Sequence, residues 1–540
     1  MMRKLLIISL TTVIVLCLSS FYVFSDFGKK KWKIVFDEEK IKFRNEFLSK
    51  AQKPSADAPN VIIIIADDLG KHEISAYGGK YVHTKNIDRI ASKGVLFEEG
   101  YISSPICAPS RAGMMTGRYQ QRFGFEINIH ERYPRNRFEY WAAKTFVSKD
   151  PFVVSKQNSP VFPDFDEMHK QGIPPTEFIL PELLKKHGYQ NAIFGKWHLG
   201  YNSSAIPLNR GFDYHYGFLE AFSLYAPVND PSIINFQHDD FTDRHIWNKG
   251  RKGNCAIQRN GNVIEEKVYL TDKIADESIQ WLKENHQNGP FFMYLPFSAP
   301  HTPFQAKKEI YDLYAHVEDK NKRVYYAMIH SLDEAVGKIL DKLEELNVDE
   351  NTLVFFLSDN GGAVYTHAAD NSPLKSGKFS NFEGGINVPF LMAWPKVIKG
   401  GMKYQNPVSS LDIFSTVCKV AAVELPADRD FDGINLMPFI TSQDETKKPH
   451  EVLYWRSMHH KAIRKDKWKL IWDDLGNSTA LYKLDTDKSE KVNLAKTYPE
   501  IVKSLKAQFE NWEKSLIQPN WPRVMDFKIE DGDAVYYFPL

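Results

Sequence analysis

Residues 61–65, 290–295 and 353–357 are apolar without a break. A strand with one wet face alternates apolar and polar side chains, so short unbroken β-branched and aromatic runs predict strands buried on both faces, as in a parallel sheet. A shorter strand is predicted just after residue 190, following an amphipathic helix over 180–189 that closes at Gly188. Helical periodicity continues from Tyr325 to Leu346, and the charged segment before the first strand has room for a short helix from Phe36 to Leu48. Further along, residues 462–471 alternate at period two, 481–484 follow after a turn, and 501–516 are again helical. Strands separated by helices predict an α/β protein, in which ligands bind at the carboxyl edge of the sheet.

Composition adds limits. A chain of 540 residues suggests two or more domains, although large α/β enzymes often keep one dominant sheet. Lysine plus arginine number 69 against 68 aspartate plus glutamate, so no global charge points to nucleic acid, and any selectivity for anions is local. Aromatic content is 13% with 11 tryptophans, which suits a large core and also stacking against sugar rings.

Arg3 and Lys4 precede an apolar run over residues 5–24, the form of an export signal. Residues 1–25 are therefore expected to be a signal peptide or an uncleaved signal anchor, since about 20 apolar residues also suffice to span a bilayer. Either way the chain is expected to be exported to the periplasm, cell surface or medium, with a membrane as partner only if the anchor stays. Residues 26–57 read as a lead-in. Cys17 lies in the first segment, and Cys255 and Cys418 are too few for a disulfide framework; whether those two pair is left open. No internal repeats are evident.

The chemistry sits where the apolar runs stop. The first ends in Asp67 and Asp68, two adjacent carboxylates that repel unless they form a solvated turn or hold a cation. The run at 353–357 ends in Asp359 and Asn360, completing an all-oxygen set suited to Ca²⁺ or Mg²⁺ rather than zinc. The short strand near residue 191 delivers Lys196 and His198, which alternation puts on one side with Trp197 on the other. The run at 290–295 leads to His301. Cys107-Ala108-Pro109-Ser110-Arg111 has the form C-x-P-x-R and continues into Thr116-Gly117-Arg118-Tyr119.

That last block, together with G-K-W-H-L-G at 195–200 and the lysine loop 371–378 ahead of Glu383-Gly384-Gly385, resembles the type I, formylglycine-dependent sulfatases of the alkaline phosphatase superfamily, over residues 58–516. The resemblance implies a large mixed, mostly parallel sheet sandwiched by helices, an alkaline phosphatase-like catalytic domain at 58–440, and a smaller C-terminal antiparallel sheet-and-helix subdomain at 441–540. It implies that a sulfatase-maturing, formylglycine-generating enzyme oxidises Cys107 to 3-oxoalanine. It implies one Ca²⁺, Mg²⁺ being the lesser alternative, on Asp67, Asp68, Asp359, Asn360 and position 107. Arg111, Lys196 and Lys378 would hold the sulfate, with Lys375 a nearby competitor of Lys378. His301 would protonate the leaving alcohol and His198 would act as base in release. Asn387 stands where the family usually has arginine.

The substrate expected from the resemblance is a sulfated carbohydrate, as for sulfatases near the arylsulfatase B group. Residues 121–178, including His130, Arg132, Tyr133, Arg135, Arg137, Tyr140 and Trp141, could line a cleft for an anionic saccharide or form a solvated loop. The competing readings are a phosphate or phosphonate monoester hydrolase of the same superfamily and a non-catalytic glycan-binding homologue.

Overall fold

A computed structural model describes residues 32–131, 133–155, 162–238, 241–442 and 447–540. The expected signal or anchor segment lies outside the described residues, among which no helix is long and apolar enough to cross a membrane. Ten strands form the main sheet: β1 Asn60–Ala66, β2 Gly94–Phe97, β3 Gln190–Lys196, β4 Tyr214–Phe218, β5 Gln258–Arg259, β6 Asn262–Val263, β7 Phe291–Pro296, β8 Thr352–Ser358, β9 Phe390–Ala393 and β10 Met402–Tyr404. Their spatial order is β10-β2-β9-β8-β1-β7-β3-β4-β5-β6. The centre, β8 through β4, is parallel, and antiparallel pairings occur only toward the two margins.

The unbroken apolar character of β1 follows from what covers it. Ile62 and Ile64 face one layer with the helices Leu270–Asn285 and Lys320–Glu345, whereas Val61, Ile63 and Ile65 face the other with Cys107–Thr116, Leu180–Lys186 and Asp412–Val420. No position on the strand meets water, so each side chain contributes about 1.5–3 kcal/mol of burial and none is free to be polar.

Two elements differ from the sequence expectation. The long helix begins at Lys320 rather than near Tyr325, because the Asp319 carboxylate accepts from Asn321 and Lys322 backbone N–H groups and so fixes an earlier start. Residues 462–471 are not one strand. They divide into parts of a hairpin, β12 His460–Lys465 and β13 Trp468–Asp473, with Asp466 in the left-handed region at φ 51°. Lys465 pairs directly with Trp468, so a two-residue turn interrupts the strand without disturbing the period-two pattern.

With β11 Val452–Ser457 and β14 Ser478–Lys483 these strands form a separate four-stranded antiparallel sheet. One face packs Ile463, Leu470, Trp472 and Leu481 under the helix Pro499–Glu513. The other packs Trp455, Ala462, Ile471 and Tyr482 against Ile102, Ile106, Phe379 and Phe382 of the main body. A fully buried ion cluster crosses that contact: Lys469 Nζ lies 2.7 Å from Glu383 and 2.9 Å from Glu490. Removing the cation strands two buried carboxylates, so Lys469→Met is expected to cost about 3–5 kcal/mol in denaturant unfolding; an unchanged midpoint would refute the role of this cluster.

Candidate active site

The carboxyl edge of the parallel strands gathers the charged residues. Asp67 and Asp68 follow β1, with Asp68 in the left-handed region at φ 65°. Asp359 and Asn360 follow β8, and the Asp359 N–H donates to the Ala66 carbonyl at 3.1 Å, which locks the two strand ends together. β3 ends on Lys196, and β7 leads to His301. Cys107 opens the helix Cys107–Thr116, which places Arg111 one turn further inward. Lys378 comes from the loop before Glu383, where the Phe379 N–H donates to the carbonyl of Pro105, two residues before Cys107. The Gly384-Gly385 pair is required for this loop to close, because a Cβ at Gly385 would lie 2.1 Å from the Ser380 carbonyl oxygen.

All of these side chains are buried, and they are matched in charge. Lys196 donates to Asp67 at 2.5 Å, and Lys378 pairs with Asp68 at 2.8 Å. Arg111 grips Asp359 Oδ2 through Nε at 2.8 Å and a terminal nitrogen at 2.7 Å, and donates to the Lys196 carbonyl at 2.8 Å. Cys107 Sγ lies 3.4 Å from Asp67 Oδ1 and 4.0 Å from Asp68 Oδ1. His301 Nε2 is 3.7 Å from Asp68 Oδ2. Burial favours the neutral form of Asp67, but Lys196, His301 and Arg111 outweigh it and hold the carboxyl below its usual range. Burial and the Asp359 charge push the Cys107 thiol far up, so the unmodified side chain is a protonated thiol and a weak nucleophile.

The donor atoms fit a cation. One ligand atom from each of Asp67, Asp68, Cys107 and His301 falls within 4.8 Å of the others. Asn360 donates through Nδ2 to Asp68 at 2.6 Å, which leaves its buried Oδ1 without a partner. Asp359 is at the edge of this group, since Arg111 occupies Oδ2 and Oδ1 stands 3.4 Å from the Asp68 N–H.

His198 reaches the same neighbourhood by a route alternation does not describe. β3 stops at Lys196, His198 takes φ 58°, and its N–H donates to the Leu219 carbonyl, whereas Trp197 turns away to bond the Ala205 carbonyl. Burial, then Lys196 and Arg111, hold the His198 ring well below its usual pKa, and neither ring nitrogen has a hydrogen-bond partner. Lys375 points elsewhere, to Asp531 at 2.6 Å and the Glu490 carbonyl. Asn387 accepts from Lys71 at 2.8 Å and donates to Glu383 at 2.9 Å, bridging two charged groups. Cys255 and Cys418 are buried free thiols, not a disulfide. In the 121–178 region, the backbone N–H of half-buried His130 and the hydroxyl of buried Tyr133 both donate to Gln171, and Tyr140 donates to the Ser155 carbonyl. Arg135 pairs with Glu139, Trp141 is exposed, and Arg132 lies outside the described residues.

The sequence that builds this sheet and charged cluster matches the model of the Sulfatase family over residues 59–423. The chain belongs to that family and is a sulfuric ester hydrolase; residues 377–515 also match the model described as N-sulphoglucosamine sulphohydrolase, C-terminal. Human (Homo sapiens) steryl-sulfatase is 31% identical over 470 residues, 76% of this chain and 74% of that protein. Human N-acetylgalactosamine-6-sulfatase is 31% identical over 403 residues, 74% of this chain and 68% of that protein. A solved structure of Ps i-CgsB in complex with k-i-k-neocarrahexaose superposes with a TM-score of 0.72 at 30% identity, covering 86% of this chain and 94% of that one.

Several neighbours of the cluster gave no sequence signal. Tyr225 donates to the carbonyls of Ser298 and His301, and Tyr325 donates to the Asp68 carbonyl at 3.2 Å; both read in sequence as ordinary apolar positions. Glu220, two residues past β4, follows Leu219, whose carbonyl holds His198. Burial, with Glu131 nearby, raises its carboxyl to about 7. A raised folded-state pKa means the folded protein keeps a proton that the unfolded chain has lost above its ordinary carboxylate pKa. Stability is therefore expected to fall as pH rises toward 7, and Glu220→Gln should flatten that part of a Tm–pH profile. An identical profile in the variant would contradict the assignment.

Proposed function

We propose that this sulfatase removes sulfate from a sulfated carbohydrate, using a formylglycine made from Cys107 and a bound Ca²⁺. The observation that carries the reading is the position of Cys107, buried between Asp67 and Asp68 and ringed by Arg111, Lys196 and Lys378, while its own thiol is held protonated. Three carboxylates already balance three cationic side chains, so a divalent ion added to this set leaves net positive charge for an anionic ester. Asp67, Asp68, Asp359, Asn360 and the oxygen at position 107 would hold the ion, and the orphaned Asn360 Oδ1 fits an oxygen-liganded hard cation. Such an ion supplies Lewis-acid polarisation of oxygen.

In this reading one hydroxyl of the hydrated aldehyde at position 107 gives its proton to Asp359 and attacks sulfur in line. The S–O bond to the alcohol breaks, and His301, with Lys378 beside it, supplies the proton the alcohol needs. Arg111, Lys196 and Lys378 hold the sulfate oxygens as charge accumulates. His198, neutral and unpartnered, takes the proton of the remaining hydroxyl; the C–O bond to sulfate then breaks and the aldehyde returns. The carbohydrate assignment draws on N-acetylgalactosamine-6-sulfatase and the neocarrahexaose complex among the similar proteins. A maturing enzyme and export to the periplasm, cell surface or medium complete the proposal.

The deciding experiment co-expresses the chain with a formylglycine-generating enzyme and compares sulfate release from sulfated saccharides and a steroid sulfate with phosphate release from phosphate monoesters. Saccharide desulfation lost on chelation and restored by Ca²⁺ is expected; faster phosphate or steroid-sulfate turnover would overturn the reading. Cys107→Ser should retain a hydroxyl that is sulfated once but cannot expel sulfate, giving a single turnover. Sustained turnover by that variant refutes the release step. His301→Ala should slow saccharide sulfates more than activated aryl sulfates, whose leaving groups need no proton, and equal losses would remove His301 from the acid role.

A further inference from the structure

The helix Arg137–Phe146 buries none of its residues, yet it carries four aromatic rings, three of them exposed. Phe138 is 48%, Trp141 54% and Phe146 77% exposed, and the rings touch in sequence, Phe138 to Trp141 at 5.9 Å and Trp141 to Phe146 at 6.1 Å. Lys144 and Thr145, both exposed, are the i+3 and i+4 neighbours of Trp141, so a cation flanks the Trp141 ring. The helix has no leucine, isoleucine, methionine or valine. Aromatic rings without aliphatic neighbours suit stacking on flat ring faces.

The helix is tied to the catalytic side of the molecule. Asn136 caps its start, and after its end the Lys149 N–H donates to the Phe152 carbonyl at 2.8 Å. Phe152 pairs with Phe527 in the C-terminal hairpin, and its ring contacts Tyr365 at 5.2 Å and Phe379 at 6.0 Å. The Phe379 ring lies 5.3 Å from Lys378 Nζ. Phe152 is six positions beyond Phe146, a reach of about 20 Å at most. The helix is therefore tied by a short stretch of chain to the ring that packs beside Lys378, within the span of an oligosaccharide.

We propose that this helix is a remote subsite for the chain of a sulfated polysaccharide, with Trp141 and Phe146 stacking on sugar rings and Lys144 meeting a sulfate. The inference rests on the carbohydrate reading above and adds chain length to it. Rings present a flat apolar face that matches the C–H face of a pyranose, and the interleaved lysine gives the charge complement a polyanion needs.

The test uses the matured full-length protein, size-fractionated sulfated galactan and sulfated glycosaminoglycan oligosaccharides, and the variants Trp141→Ala/Phe146→Ala and Lys144→Glu. For wild type, kcat/KM should rise with oligosaccharide length. In both variants the ratio of long-substrate to monosaccharide kcat/KM should fall about tenfold, with retention in a polysaccharide-containing affinity gel lost in parallel. A ratio unchanged in both variants overturns the proposal, and so does loss of binding to anionic vesicles or to a protein partner with the ratio intact. Desulfation of saccharides at a rate independent of length sinks the subsite alone. No desulfation of any saccharide by a protein that cleaves other sulfate esters sinks the carbohydrate reading itself.

Discussion

Three carboxylates, Asp67, Asp68 and Asp359, and three cations, Arg111, Lys196 and Lys378, share a volume closed to water at the carboxyl edge of the sheet. Each alone would be expensive to bury, and each is tolerable only because a partner from another part of the chain faces it. That mutual dependence sets demands on the fold. β1, β8 and β3 have to end at one level, the helix after Ile106 has to aim Arg111 inward, and the loop after Asn371 has to return Lys378 to the same point. Parallel pairing and the Ala66 carbonyl contact meet the first demand, the Arg111 bonds to Asp359 and the Lys196 carbonyl the second, and the Pro105 carbonyl contact the third.

The small C-terminal sheet belongs to this arrangement. Lys469 reaches from it to Glu383, the acidic residue at the head of the glycine turn that closes the lysine loop, and Glu383 also bonds Tyr101 and Asn387. Asn387 in turn holds Lys71, three residues after Asp68. A continuous buried path of charged and polar groups thus joins the sheet of β11–β14 to both the loop after β1 and the loop that carries Lys378. Asn387 serves as a neutral bridge between Lys71 and Glu383.

Much of this was legible in the sequence because buried parallel strands leave an unambiguous mark. A run such as 61–65 has one reading, and polar residues at its end have few places to go. The C-x-P-x-R block and the lysine loop added what periodicity cannot give, the association of residues far apart in the chain. What escaped was set by tertiary context. His198 sits in a left-handed conformation beyond the strand end, where alternation no longer applies. The hairpin turn at Asp466 hides inside an unbroken period-two pattern. Tyr225 and Tyr325 support the site through backbone carbonyls, Glu220 is buried beside Leu219, and nothing local distinguishes them from core residues.

The central claim is that Cys107 acts only after its thiol has been exchanged for an aldehyde, since in this surrounding the thiol stays protonated and wedged between two carboxylates. Mass spectrometry of the peptide spanning residue 107, from protein made with and without a formylglycine-generating enzyme, tests it most directly. The account predicts a loss of about 18 Da relative to cysteine in the matured protein, appearing together with sulfatase activity. Full activity from a peptide that retains the unmodified cysteine mass would contradict it.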